Sequence, residues 1–136
     1  MGQSDQPITT RYTGKLIIWR RSVCAGDDVD APHELVLKTH VMTLRDLATH
    51  LLKIRYPASI AGGKATWILE AVGKKNRPLA VLAQQWSEPR YLVDPDTDIT
   101  AFINPGNRYD LYLNYWCQID PDIAFDHLQH GKPLPN

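Results

Sequence analysis

Three aspartates at alternate positions, Asp94, Asp96 and Asp98, open in the way a calcium-binding loop opens, with carboxylates spaced to converge on one hard cation. The match stops there. The sixth position, where such a loop needs glycine for its sharp turn, is Ile99, and the twelfth, where a bidentate glutamate closes the site, is Pro105. The stretch reads as a solvated acidic loop, with a weak cation site or a surface for a basic partner as the functional alternatives. Gly62-Gly63-Lys64-Ala65-Thr66 has the residue types of a phosphate-binding loop, but Ala58 stands where the first glycine belongs, and the segment leaves a helix for a strand, so a plain turn is expected. His127 and His130 lie three apart near the C-terminal end, with Asp126 adjoining. Zinc needs three or four ligands, and His33, His40 and His50 have no diagnostic spacing to this pair.

Nucleophilic chemistry fares no better. Ser4, Ser22, Ser59 and Ser87 all lie outside any Gly-x-Ser-x-Gly turn, Cys24 and Cys117 lack a local signature, and Glu34, Glu70 and Glu88 are isolated in the chain. The expectation is a chain without catalytic, cofactor-binding or metal-ligating residues, and therefore not an enzyme. Lys74, Lys75 and Arg77, with Arg20 and Arg21, could make a modest phosphate-binding face. No aromatic residue is interleaved with these charges to stack on bases, so nucleic acid is not the expected partner. Aromatic residues gather instead in the second half. Trp86, Tyr91, Tyr112 and Trp116, among Asp94, Asp96, Asp98 and Asp110, form a candidate partner-binding set, since Tyr and Trp are enriched where proteins bind proteins. The structural alternative is that Trp116 packs beneath the terminal helix through Phe125 and Leu128.

Composition sets the frame for these candidates. At 136 residues the chain fits one domain, 1–136, with 1–12 expected to be flexible and 132–136 a tail. A content of 43% hydrophobic and 22% charged residues is globular rather than disordered. Net charge is zero, yet only Arg108 and Lys132 of the fifteen basic side chains lie beyond residue 90, so the chain is basic in front and acidic behind. Cys24 and Cys117 show no metal or redox spacing and are read as free thiols. No apolar leader or membrane-length run is seen, from which a cytoplasmic address and no membrane partner are expected.

The elements that must position the candidates follow from periodicity. Lys15–Arg21 reads as a buried strand, and Glu34–His40 as a second one after a polar connection through Gly26 and Pro32. A helix then starts at Thr43, which caps while Asp46 returns the bond and Met42 staples against Leu47. Leu44, Leu47, Leu51 and Ile54 line its apolar face, and Pro57 ends it. Ala65–Val72 and Leu79–Gln85 make a hairpin across Gly73–Pro78. Pro89, Pro95, Pro105 and Gly106 mark a loop with short extended pieces at Tyr91–Val93 and Thr100–Ile103. Tyr109–Ile119 alternates as a long strand, and a short helix begins at Asp120-Pro121 and stops at Gly131.

The expected class is α+β, a mostly antiparallel sheet of about five strands packed on one main amphipathic helix, with a short C-terminal helix. The order of the first five elements resembles a ubiquitin-like β-grasp. Separately, the run from Trp67-Ile68-Leu69-Glu70 through Leu79-Ala80-Val81-Leu82-Ala83-Gln84-Gln85-Trp86 to Tyr112-Leu113-Asn114-Tyr115-Trp116-Cys117-Gln118-Ile119-Asp120-Pro121 resembles small immunity proteins of bacterial polymorphic and contact-dependent toxin systems. That second resemblance covers about half the chain. It implies, as the leading expectation, a non-enzymatic cytoplasmic inhibitor that neutralises a cognate toxin by direct binding, with the acidic set steering association with a basic cleft. The β-grasp resemblance implies an adaptor or scaffold module whose partner docks on the sheet. A small enzyme with a site assembled only by folding is the third reading.

Overall fold

The computed structural model describes residues 15–21, 34–38, 42–57, 63–116 and 119–134. Cys24, Cys117, Ala58, Ser59, Gly62, His33, His40 and the expected flexible N-terminal stretch lie outside the described residues. Six strands and two α-helices follow in the order β1 (Leu16–Arg20), β2 (Glu34–Leu37), α1 (Leu44–Lys53), β3 (Thr66–Ala71), β4 (Arg77–Ala83), β5 (Arg90–Tyr91), a 3-10 turn (Ile99–Phe102), β6 (Leu111–Tyr115) and α2 (Pro121–Gln129). The α+β class and the mostly antiparallel sheet are as expected. The sixth strand is the two-residue β5, one of the short extended pieces anticipated in the loop.

All six strands join one sheet, ordered β2-β1-β6-β3-β4-β5. Every neighbouring pair is antiparallel except β1 and β6, which run parallel at the centre, with Ile18, Trp19 and Arg20 beside Leu111, Tyr112 and Leu113. Asp110 closes the entrance to that ladder. Its amide donates to the carbonyl of Ile17 at 2.8 Å, its carbonyl accepts from Val72 at 3.2 Å, and its carboxylate accepts from the Ile17 amide at 2.8 Å. One residue thus ties β6 to β1 on one side and to the end of β3 on the other. Asp110 is 1% exposed, so its expected place on an acidic partner surface is corrected: the carboxylate serves a backbone donor inside the fold.

Helix α1 forms where the sequence marks it. Thr43 accepts from the Asp46 amide while the Asp46 carboxylate accepts from the Thr43 amide, a complete capping box. Leu44, Leu47, Ala48 and Leu51 are fully buried against the sheet, and Met42 packs on the same cluster. At its C-terminal end the Tyr56 amide reaches the Leu51 carbonyl at 2.9 Å and the Arg55 amide the Leu52 carbonyl at 3.1 Å. This reversal needs a left-handed residue between them, where glycine is usual. Arg55 holds it at φ 58°, a conformation that costs an ordinary side chain on the order of 1 kcal/mol.

The strands bury alternate residues on α1. Leu16 and Ile18 of β1, Leu69 and Ala71 of β3, and Leu111, Leu113 and Tyr115 of β6 face the helix with Trp67 and Leu82. Arg20 continues that inward row. Only 1% exposed, its guanidinium lies 5.8 Å from the ring of Tyr56 and 5.6 Å from that of Trp67. The expectation that β1 buries both faces, and that Arg20 offers a phosphate contact, is therefore corrected. Trp19 and Ile17 are half-buried on the other face, and the arginine goes in. Helix α2 packs on β4 from that other face, where the register partners Ile68 and Val81 are buried outside the main cluster. The expected extended piece at Thr100–Ile103 is instead a 3-10 turn. Asp98 caps it by accepting from the amide and hydroxyl of Thr100, and Ile99 and Phe102 turn into the core.

Replacing Asp110 with alanine strands the Ile17 amide and removes a charge-assisted bond, so denaturant unfolding should show a loss of about 2–3 kcal/mol. Asp94→Ala, at an exposed loop cap, should lose no more than about 1 kcal/mol in the same measurement; equal losses would refute the role assigned to Asp110.

Candidate protein-binding surfaces

The acidic loop folds onto the start of α1. A helix leaves its first amides without intrahelical partners. Here the Leu44 amide finds the Thr97 carbonyl at 3.0 Å and the Arg45 amide the Pro95 carbonyl at 2.8 Å, while Ile99 donates to Met42 at 2.8 Å. Thr43 and Asp98 form an antiparallel bridge beside these contacts. Each aspartate has local work. Asp94 accepts from the Asp96 amide, Asp98 caps the 3-10 turn, and Asp96 pairs with the Arg45 Nε at 3.0 Å. That contact holds Arg45 more firmly protonated, through the hydrogen bond first and the charge second. Negative charge beside a helix N-terminus is itself favourable, so the acidity of the loop has a reason inside the fold.

The eight sequence-derived candidates separate into three places. Tyr91 on β5 packs against the core under the Arg45 guanidinium, 5.6 Å from its ring, and so joins Asp94, Asp96 and Asp98 at the loop. Burial pushes the Tyr91 phenol above its ordinary range. Trp86 sits in the turn after β4, with the Arg90 guanidinium 4.3 Å from its ring, and Arg90 in turn pairs with Asp122 at the start of α2 at 2.8 Å. Asp110, Tyr112 and Trp116 belong to the β6 segment, with Asp110 buried. Trp116 is half-buried; its amide donates to the Thr66 carbonyl, and its buried indole nitrogen has no hydrogen-bond partner among the described residues.

A different surface emerges on the sheet face opposite α1. Residues alternating with the core positions share it: Ile17 and Trp19 of β1, Arg21 just beyond, Val36 of β2, Tyr112 and Asn114 of β6, and Glu70 of β3. Tyr109 stacks on Trp19 with ring centroids 5.1 Å apart, and the Arg108 guanidinium lies 5.3 Å from the Tyr109 ring. Val36 is 46% exposed. Lys15, Arg21, Lys38 and Arg108 are exposed around these groups, so the rim is predominantly basic. At its polar side Asn114 receives Arg21 at 3.5 Å and donates to Glu70 at 3.3 Å, and Asn76 donates to the other Glu70 oxygen at 3.1 Å. Burial raises the Glu70 carboxyl above the usual carboxylate range, against the two amide bonds that lower it. Of the expected set only Tyr112 belongs here. Trp19 is hidden because the run Leu16–Trp19 reads as apolar throughout, and the inward polar residue that breaks the run, Arg20, is the available signal; Tyr109, expected on the same face as Leu111 and Leu113, instead precedes β6 and stacks on Trp19.

The histidines near the C-terminus face their own backbone. His127 Nδ1 lies 2.9 Å from the Pro133 carbonyl and His130 Nδ1 lies 2.8 Å from that of Asp126. Among the described residues no group of three His, Cys, Asp or Glu side chains is placed to hold a metal ion. The hairpin tip with Lys74 and Lys75 lies at the Leu111 end of the sheet, while Arg77 sits over the Phe102 ring at 5.5 Å. With Arg20 buried, the basic set proposed from the sequence is not brought together. No helix among the described residues is long and apolar enough to cross a membrane. Compared with protein-family models, with curated proteins and with solved structures, the chain matches none of them.

Because the Glu70 pKa is raised on folding, its contribution to stability is present at low pH and fades as pH climbs through the folded value. Thermal melts of wild type and Glu70→Gln should therefore diverge in favour of the variant as pH rises above the ordinary carboxylate range, about pH 4. A gap independent of pH would show that burial does not dominate at this carboxyl.

Proposed function

We propose that the chain is a non-enzymatic protein-binding module of the ubiquitin-like β-grasp type, with a cytoplasmic setting, that docks a protein partner on the sheet face opposite α1. The strand order supports the β-grasp reading. A β1-β2 antiparallel pair, a helix, a β3-β4 hairpin and a final strand inserted parallel to β1 give β2-β1-β6-β3-β4, with β5 a two-residue addition at the edge. Such a topology does not by itself name an activity. The observation that carries the docking reading is the aromatic cluster of Trp19, Tyr109 and Tyr112, half-buried beside exposed Arg21 and Arg108. Tyr, Trp and Arg are the side chains that supply most of the energy at protein interfaces.

The resemblance to toxin-neutralising immunity proteins gave the steering role to the acidic stretch. Asp94, Asp96 and Asp98 are engaged at α1 and the 3-10 turn, and Asp110 is buried. The run that carries that resemblance spans β3, β4, β6 and the start of α2, where Trp67, Leu69, Leu79, Leu82, Leu113 and Tyr115 are core residues. The adaptor reading is thus the better supported, and an inhibitor acting through the acidic loop is the outcome that would displace it.

The two surfaces are separable by mutation. Tyr112→Ala with Arg108→Glu removes an aromatic and a cationic group from the sheet face. Asp94→Asn, Asp96→Asn and Asp98→Asn together remove the loop charge while keeping the capping oxygens. With folding checked by circular dichroism, titration of the partner captured by the wild-type chain should show the first variant weakened by about thirtyfold or more. The loop variant should stay within about threefold of wild type. The reverse pattern would overturn the proposal in favour of the inhibitor.

A further inference from the structure

On the α1 side of the sheet, away from the docking face, a cavity of about 190 Å³ lies between the end of α1 and the end of β4. Leu52 and Pro57 form one wall, and Trp67, Leu82 and Ala83 form the other. An apolar cavity of roughly 150 Å³ is already enough to accept a benzene ring. Two polar residues complete the lining, Gln84 and Arg55, and Arg55 is the single charged group among them. The Gln84 side chain is engaged, its oxygen accepting from the Ala65 amide at 3.1 Å. Arg55 is different. Among the described residues its guanidinium enters no ion pair and no hydrogen bond.

The backbone makes the choice of arginine costly. Position 55 is the left-handed residue of the helix-ending reversal, where glycine would serve without strain. A cation near a helix C-terminus is favourable in its own right, but Lys53 in the last turn of α1 already provides one. Strain kept at a position that folding alone would give to glycine marks a residue retained for what its side chain does. Here that side chain borders a half-open, mostly apolar pocket and makes no ion pair among the described residues.

We propose that this cavity binds a small amphipathic carboxylate. A ring or short alkyl body sits against Leu52 and Pro57, over the edges of the buried Trp67 and Leu82, and the carboxylate pairs with the Arg55 guanidinium, whose planar fork matches two carboxylate oxygens. The site stands apart from the docking reading of the opposite face, and either can fail without the other.

The test is a titration of the full chain with 3-phenylpropionate, followed by NMR at the Trp67 indole N–H and the methyl groups of Leu52 and Leu82. Saturable shifts at those groups are expected, with a dissociation constant on the order of 1 mM. The neutral isostere 3-phenylpropanol should bind at least about tenfold more weakly. Arg55→Gly should melt no lower than wild type and lose at least about tenfold in affinity for the acid, while the alcohol binds as before. A short peptide ending in phenylalanine presents the same carboxylate beside the same ring. Tighter binding of the peptide assigns the source as a chain terminus and tighter binding of 3-phenylpropionate assigns a free acid; both uphold the site. No saturable shift, equal affinity for acid and alcohol, or unchanged acid binding by Arg55→Gly would overturn it.

Discussion

The parallel ladder between β1 and β6 is the constraint on which the rest of the sheet depends. Antiparallel neighbours can be joined by a tight turn, but a parallel pair needs a long crossover, and here about two thirds of the chain lies between its two strands. The β3-β4 hairpin has β6 as its neighbour, and β6 reaches the centre only when β1 is there to receive it. Asp110 fixes the register at that point. Its amide, carbonyl and carboxylate each take a backbone partner, so a shift of β6 by one residue would leave three backbone groups unpaired and turn Leu111 and Leu113 out of the core.

Once the central ladder is set, the two faces of the sheet acquire different fates. One is covered by α1, whose first turn is held by the carbonyls of Pro95 and Thr97, so that the acidic loop acts as a clamp on the helix. The other receives α2 on β4, and the strands β2, β1 and β6 keep a half-exposed row of aromatic and basic side chains. Charge follows this division. The aspartates that make the second half of the chain acidic are engaged in capping, in ion pairs with Arg45 and Arg90 and at one backbone amide of β1, while the basic groups Lys15, Arg21, Lys38 and Arg108 frame the uncovered face.

Much of the fold was legible because its signals are local. The Thr43–Asp46 capping box, the Leu44-Leu47-Leu51 stripe and the Asp120-Pro121 start of α2 each arise from residues close in sequence, and each appears where expected, whereas Ile54 is the exposed C-cap rather than part of the stripe and β6 spans Leu111–Tyr115 rather than Tyr109–Ile119. The candidate site was less legible, since its surface is made by pairing strands almost a hundred residues apart. Nothing near Asp110 in sequence says that its carboxylate will meet Ile17, and nothing near Trp19 says that Tyr109 will stack on it. Local apolarity also misled at β1, where Arg20 is buried beside the rings of Tyr56 and Trp67 while Ile17 and Trp19 are left half-buried on the other face. The 3-10 turn escaped for a similar reason, because Thr100–Ile103 has strand-like residues and only the Asp98 cap tips it towards a helix.

Native-state hydrogen exchange tests the central role of the β1-β6 ladder most directly, since it reads the opening free energy of each amide separately. The Ile17, Asp110 and Val72 amides should exchange only with the global unfolding that also exposes the Trp67 and Leu113 amides. If Ile17 instead opens at a free energy as low as that of the exposed Asp94–Thr97 loop, the ladder is a late addition to the sheet and not its organising contact.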